Sequence, residues 1–443
     1  MCGFFGAWGW SQQLDTAAAL KALESRGPDD QGEFHDPCGL TLLHTRLAIQ
    51  DLSPLGHQPM QAGNHSLMLV FNGEIYNQHK LRRELEAAGY NFNSHSDTEV
   101  LLHGFRHWKQ DLWQRLEGIF AVACWEPRDR RLTLARDRFG VKPLLWQREP
   151  QRLTFGSELS ALIASGCCKK EAINPQAIES YLLWGSVAAP NTIIDGVQVF
   201  PAGHWASCQL GQSWQQQRFS PEQPPAQRSD LNLSKATEKT RLALQQAVQR
   251  QSIGDRPVGL FLSGGLDSGL IAAELRRQQQ GAIHSVSVGF EGLPGAVDET
   301  DLAGQTADAL GLTHQRLGIA PQQLESSFNG FLEAIDQPSV DGFNSHLVTQ
   351  VARDQGMVVA FSGLGADELF GGYSHMQPGR LEHQLRARRL KLHGVNPQSR
   401  QALEQTRSQG LPSDFSLSQC SELELRGYLH DTLLRDSDAV TMA

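Results

Sequence analysis

Residues 258 to 268 read Val258-Gly259-Leu260-Phe261-Leu262-Ser263-Gly264-Gly265-Leu266-Asp267-Ser268, a short apolar run that passes directly into a loop of glycine and serine. A buried strand delivering such a loop to the opening of a helix is suited to holding pyrophosphate. The glycines remove side chains from the anion's path, the hydroxyls donate, and the first amides of the helix face the charge with the dipole behind them. The loop is not a Walker A sequence, which needs G-x-x-x-x-G-K-S/T and a lysine that is absent here. Around it, strand and helix alternate: helix 235–250, strand 258–262, helix 268–280, strand 283–289, helix 299–310, strand 312–317, helix 344–354 and strand 357–361. This alternation predicts a parallel sheet covered on both faces.

Toward the amino terminus the pattern is different. Short strand-like runs crowd Cys2–Trp8, Leu40–Arg46, Ser66–Asn72, Ile119–Trp125, Leu132–Arg136 and Leu153–Ser157, with helical periodicity only at His79–Ala88 and Glu99–His107. Clustered strands with a few helices predict stacked antiparallel sheets in an α+β layering. Residues 209–233 are rich in Gln, Pro and Ser and read as a linker. The basic stretch Arg386–Lys391 reads as a solvated helix face.

A chain of 443 residues exceeds what one core usually fills, so two domains are expected. Hydrophobic content of 40% and charged content of 20% exclude a disordered or fibrous class. A net charge of −9 gives no footing for nucleic acid, and small-molecule substrates are expected instead. Seven cysteines, none in a C-x-x-C pair, fit a reducing compartment, and no run is long and apolar enough to span a membrane. The expectation is a cytoplasmic protein without a membrane partner.

Cys2 acquires a meaning from its context. If Met1 is removed, the freed α-amine can act as base toward the thiol beside it, and no histidine is needed. Around it stand Arg26-Gly27-Pro28-Asp29, Arg46-Leu47-Ala48-Ile49, Asn72-Gly73-Glu74-Ile75-Tyr76-Asn77 and Ser96-Asp97-Thr98-Glu99. Further along come Ala135-Arg136-Asp137-Arg138-Phe139-Gly140-Val141-Lys142-Pro143-Leu144 and Phe155-Gly156-Ser157-Glu158. In this order they resemble the class II glutamine amidotransferases, whose fold is the N-terminal-nucleophile sandwich. The resemblance implies Cys2 as nucleophile and Asn72 with the Gly73 N–H as oxyanion donors. It implies Arg46 as the bidentate partner of the glutamine carboxylate and Glu74 and Asp97 as partners of its ammonium, with Asn72 and Gly73 also in contact.

The loop at 263–268 resembles the PP-loop of the ATP pyrophosphatases, which cut ATP between its α and β phosphates. A second acidic loop, Ser362-Gly363-Leu364-Gly365-Ala366-Asp367-Glu368, resembles the second signature of the glutamine-hydrolysing asparagine synthetases. By resemblance ATP meets Leu262, Ser263, Gly264, Gly265, Leu266, Asp267, Ser268, Val288, Ser362 and Gly363, with Val286–Gly289 bordering the adenine. Asp267 and Asp367 are then the ligands of a Mg²⁺ ion.

Taken together the resemblance implies an N-terminal-nucleophile α+β sandwich over 1–208, a linker over 209–233 and an α/β PP-loop synthetase region over 234–443, incomplete at its C-terminus. The chain stops at Val440-Thr441-Met442-Ala443, ahead of the family's later helices and their catalytic lysine. The activity implied is glutamine-dependent conversion of aspartate to asparagine with ATP, through β-aspartyl-AMP. Two alternatives stay open: an ATP-dependent amidotransferase acting on another carboxylate, and a truncated glutaminase that binds a partner. Leu364 stands where many members carry an acid, which leaves the acceptor open, and a homodimer is compatible with the whole.

Overall fold

The computed structural model describes residues 2–10, 14–220, 232–290, 299–373, 376 and 417–442. Its N-terminal half runs β1 (Gly3–Trp8), α1 (Thr16–Leu23), β2 (Asp30–Asp36), β3 (Leu40–Arg46), β4 (Met60–Gln61), β5 (Met68–Ile75), α2 (Gln78–Ala87), α3 (Asp97–Trp108) and α4 (Leu112–Arg115). It continues through β6 (Gly118–Glu126), β7 (Arg131–Arg136), β8 (Leu145–Glu149), β9 (Arg152–Gly156), α5 (Leu159–Ala164), α6 (Pro175–Trp184), β10 (Gln198–Val199), β11 (His204–Gln209) and β12 (Gln215–Arg218).

Two six-stranded sheets result, in the orders β10-β8-β9-β1-β3-β2 and β12-β11-β7-β6-β5-β4, and their paired strands run antiparallel. Every residue of β1 is buried, because the strand packs on both sides. Phe4 and Trp8 face the other sheet, where they meet Val70, Ala121, Ala123 and Trp125, with Trp8 and Trp125 edge to face at 5.0 Å. Phe5 and Ala7 face outward onto α1 and α5. On the second sheet Leu69, Phe71 and Val122 likewise face outward onto α2 and α3. The outcome is a four-layer αββα sandwich, whose inner strands read as continuous apolar text rather than as an alternation.

The C-terminal half runs α7 (Leu233–Gln251), β13 (Val258–Phe261), α8 (Leu266–Gln278), β14 (His284–Phe290), α9 (Thr300–Leu310), β15 (Thr313–Ile319), α10 (Pro321–Ala334), α11 (Phe343–Asp354), β16 (Val359–Phe361) and α12 (Ala366–Phe370). After the gap in the described residues come α13 (Leu417–Glu424), a π-helical stretch Leu425–Leu433 and α14 (Leu434–Met442). The four strands are parallel in the order β15-β14-β13-β16. Leu260, Leu262, Ala272, Leu275, Ala303 and Ala307 fill one face, and Val286, Val351 and Ala352 the other. The predicted alternation is therefore present, with α10 added. Pro321 opens that helix at a position where its missing N–H costs nothing.

One expectation is corrected. The segment 209–233 is not linker throughout, since Gln215–Arg218 pairs with His204–Ser207 as the edge strand β12, and α7 already begins at Leu233. An edge strand with all four side chains exposed needs no apolar alternation, so its Gln-rich text reads like loop. The predicted face Arg386–Lys391 lies outside the described residues. Among the described residues no helix is long and apolar enough to cross a membrane.

Candidate active sites

Cys2 directly precedes β1, and Arg46 closes β3, the neighbouring strand in which Thr45 pairs with Gly3. Asn72, Gly73 and Glu74 lie on β5 of the other sheet, and Asp97 opens α3. The fold brings five of these six together: one small pocket is lined by Cys2, Arg46, Gly73, Glu74 and Asp97, with Leu47, Ile49, Gln50, Gln58, Phe71, Ser96 and Thr98 completing its wall, whereas Asn72 is not part of that lining. Its cavity volume is about 30 Å³.

Each side chain is held. The Arg46 guanidinium donates to the carbonyl of Ser53 at 2.8 Å and to that of Asp51, which leaves part of its fork for a ligand. Asp97 accepts from the Ile75 amide at 3.0 Å. Gly73 has φ +152°, and a Cβ there would lie 2.0 Å from the Ile119 carbonyl oxygen, so only glycine fits. Asn72 is fully buried, and neither end of its amide has a hydrogen-bond partner among the described residues. An unpaired buried amide costs free energy on folding, and this one lies on β5, the strand that carries Gly73 and Glu74 to the Cys2 pocket.

Burial pushes the Cys2 thiol above its ordinary range. It also pushes Glu74 up to about 7, with the Asp97 charge adding to the shift. Asp97 itself is pushed up to about 6, again first by burial, although amide hydrogen bonds pull it back. Two buried carboxyls whose titration is raised toward neutral pH are prepared for a cation, whose arrival favours their charged forms.

Sequence reasoning attached no role to Arg26. Its Nε donates to the Cys2 carbonyl at 3.1 Å, so the side chain of the Arg-Gly-Pro-Asp sequence grips the backbone of the residue it was grouped with. The order of these groups in the sequence was the available signal. Their mutual contact was not.

The second site is built where β13 and the edge strand β16 run side by side, with Gly259 opposite Ala360, so that both Gly-rich loops leave the carboxyl ends of adjacent parallel strands. Ser263 and Ser268 hydroxyls hydrogen-bond at 2.9 Å, and the Gly265 amide donates to Ser263 Oγ at 3.1 Å. α8 starts at Leu266, two residues earlier than predicted, so Asp267 falls in its first turn, and no side chain caps the helix from Gly265. Leu262 closes the strand with its N–H on the Val286 carbonyl, and Val288 lies on β14 beside it. A Cβ at Gly363 would sit 3.4 Å from that of Asp267, which places the second loop against the first.

Burial and then the charge of Asp367 push the Asp267 carboxyl up. A hard cation shared between Asp267 and Asp367 would relieve the raised Asp267 carboxyl, and this pair of oxygen donors fits Mg²⁺. Among the described residues no group of three or more His, Cys, Asp or Glu could hold a metal, so the remaining ligands would be phosphate or water. Leu364 is exposed and contributes no acid. A larger cavity of about 640 Å³, bordered by Trp146, Arg148 and Arg426, contains none of the predicted site residues.

An αββα sandwich with a cysteine at the head of its central strand, joined to a parallel sheet with paired acidic loops, defines a glutamine amidotransferase coupled to a second catalytic unit. Residues 1–220 match the glutamine amidotransferase domain and residues 239–443 the asparagine synthase domain. Asparagine synthetase (glutamine-hydrolyzing) 1 of Bacillus subtilis is 34% identical over 384 residues, which are 84% of this chain and 59% of that protein. Asparagine synthetase (glutamine-hydrolyzing) 3 of the same organism is 32% identical over 400 residues, 84% of this chain and 63% of that protein. A Methanocaldococcus jannaschii homologue whose name places it with these synthetases is 30% identical over 407 residues, 86% of this chain and 78% of that protein. The chain belongs to the glutamine-hydrolysing asparagine synthetase family. It spans about three fifths of the length of the two Bacillus proteins.

Proposed function

We propose that this chain hydrolyses glutamine at Cys2 and uses the nitrogen, with ATP, to convert aspartate to asparagine. The observation that carries the reading is the convergence of Cys2, Arg46, Gly73, Glu74 and Asp97 on one pocket, with the unpartnered Asn72 amide on the same strand. The glutaminase unit is assigned to 1–208 and the synthetase unit to 234–443.

Removal of Met1 gives Cys2 a free α-amine, which takes the thiol proton despite the burial that raises it. Thiolate attack on the glutamine carboxamide forms a tetrahedral oxyanion held by the Asn72 amide and the Gly73 N–H. Its collapse releases ammonia, and water frees glutamate from the sulfur. Arg46 takes the substrate carboxylate, and Glu74 and Asp97 take its ammonium.

At the second site the aspartate side-chain carboxylate attacks the α-phosphorus of ATP, pyrophosphate leaves, and ammonia displaces AMP from the acyl carbon. Ser263, Ser268 and the opening amides of α8 cradle the phosphates. Asp267 and Asp367 would hold a Mg²⁺ ion, which when bound supplies neutralisation of phosphate charge. Ammonia exposed to water would mostly become ammonium, so a sheltered route between the sites belongs to this reading. A cytoplasmic location also belongs to it.

Exchange of labelled pyrophosphate into ATP tests the acceptor. Exchange that depends on aspartate is expected, whereas exchange with a different acid would move the reaction to another carboxylate. Substituting Cys2 with Ala should abolish the glutamine-dependent product and spare the product made with added ammonium. A glutamine-dependent rate that survives the change would remove Cys2 as nucleophile.

A further inference from the structure

A buried set of charges joins the two halves of the chain behind the Cys2 pocket. Arg26, on the N-terminal side, uses all three guanidinium nitrogens: Nε on the Cys2 carbonyl at 3.1 Å, Nη1 on Glu158 at 2.9 Å and Nη2 on Asp438 at 2.6 Å. Asp438 lies on α14 of the C-terminal half, 412 residues away in sequence, and its other oxygen accepts from Lys142 Nζ at 2.7 Å. The Arg26, Lys142 and Asp438 side chains are all at least 97% buried. Burial opposes ionisation of Asp438, but the Arg26 and Lys142 charges outweigh it and hold the carboxyl down at about 2.

The supports on either side are firm. Arg136 donates to the carbonyls of Gly140, Lys142 and Phe200 at 2.7, 2.7 and 2.8 Å and so pins the loop that carries Lys142. Asp336, from the C-terminal half, accepts from the Leu159 and Ser160 amides next to Glu158. Buried ion pairs seldom repay their desolvation, so three buried charges and the partly buried Glu158, linked through Arg26 to one backbone carbonyl, require a reason beyond stability. The carbonyl in question belongs to the residue whose sulfur and amine must meet the substrate.

We propose that Asp438 is a positioning residue for the glutaminase nucleophile. Through Arg26 it orients the Cys2 backbone, so that α14 of the synthetase half sets the reactivity of the thiol in the other half. The proposal rests on the reading of Cys2 as nucleophile. A displacement of about 1 Å at a reacting group can cost on the order of 100-fold in rate without altering substrate binding, so the signature is a loss in kcat rather than a rise in KM.

The test uses the full chain, with steady-state glutamine hydrolysis and the rate of Cys2 alkylation by a chloroketone analogue of glutamine as readouts. Asp438→Asn should lower kcat and the alkylation rate by roughly 10- to 100-fold while KM for glutamine stays within about threefold. Asp438→Glu, which restores the charge on a longer stem, should give an intermediate loss. Asp436→Asn is the comparator, because Asp436 lies on the same helix but pairs with Ser339 and Arg435 rather than with Arg26, and it should keep kcat within about twofold. A wild-type kcat in Asp438→Asn overturns the proposal, as does an equal loss in Asp436→Asn. If Asp438→Asn does not fold, a wild-type kcat in Asp438→Glu overturns it instead. A wild-type chain that neither hydrolyses glutamine nor is alkylated at Cys2 refutes the functional reading itself, an outcome distinct from both.

Discussion

The Asp255 carboxylate accepts a hydrogen bond of 2.8 Å from the backbone amide of Asp51, across 204 residues of sequence. Asp51 is in turn the residue whose carbonyl receives the Arg46 guanidinium, and the Asp255 amide returns a bond to the Ile49 carbonyl at 2.9 Å. Beside it Arg256 Nε donates to the Ala48 carbonyl at 3.1 Å. The segment just ahead of β13 thus holds the wall of the Cys2 pocket in place.

Removing that support should loosen Arg46 without touching the nucleophile. Asp255→Ala is expected to raise KM for glutamine by roughly three- to tenfold with little change in kcat, since a less populated binding arrangement lowers apparent affinity in proportion. Steady-state kinetics of glutamine hydrolysis check this, and a fall in kcat at unchanged KM would contradict it.

Asn72 separates stability from catalysis. Because its buried amide has no partner, Asn72→Ala should leave the melting temperature unchanged or higher, while kcat for glutamine falls by about 100- to 1,000-fold. Calorimetry and kinetics on the same preparation decide the matter, and ammonium-dependent product should persist.

The carboxyls of the pocket give a pH dependence of definite sign. Glu74 rises from its ordinary 4.5 to about 7 on folding, so its contribution to stability is full below about pH 4.5 and is lost as pH rises through about 7. Glu74→Gln should flatten the stability profile across that window by roughly 3 kcal/mol, measured by denaturant unfolding at several pH values. Glutamine binding has the opposite slope. KM should fall between about pH 6 and 8, as the carboxyls that receive the substrate's ammonium lose their protons.

At the second site Asp267→Asn should abolish aspartate-dependent pyrophosphate exchange and the rise in melting temperature produced by Mg²⁺ with ATP. Glutamine hydrolysis should remain within about threefold of the unmodified chain, because Asp267 lies on the other half of the molecule. Retention of the Mg²⁺ effect would remove Asp267 as a ligand.

Gly73→Ala is expected to abolish the glutaminase and lower stability by about 2 kcal/mol or more, because the added Cβ meets the Ile119 carbonyl oxygen rather than a movable side chain. Thermal denaturation and glutamine hydrolysis measure the two effects separately.

The sequence by itself determined the elements and the chemistry that stays local to them. Alternating strands and helices foretold the parallel sheet. The Gly-rich text after Leu262 and around Gly363 foretold where it would open, because glycine is required wherever backbone and anion approach closely. Cys2, Arg46, Asn72, Gly73, Glu74 and Asp97 were singled out by the order of the motifs that carry them, which resembles that of the class II glutamine amidotransferases, and not by local periodicity. Only the tertiary structure decided what those elements touch. That Phe4 faces a second sheet and Phe5 a helix, that Gln215–Arg218 is an edge strand, and that Asp255 and Asp438 reach back to Asp51 and Arg26 follow from which surfaces pack together. A single acidic residue in a helix or loop has the same local signature whether it meets water or a guanidinium hundreds of residues away, because its partner is chosen by burial of the surrounding apolar faces and not by its neighbours in the chain.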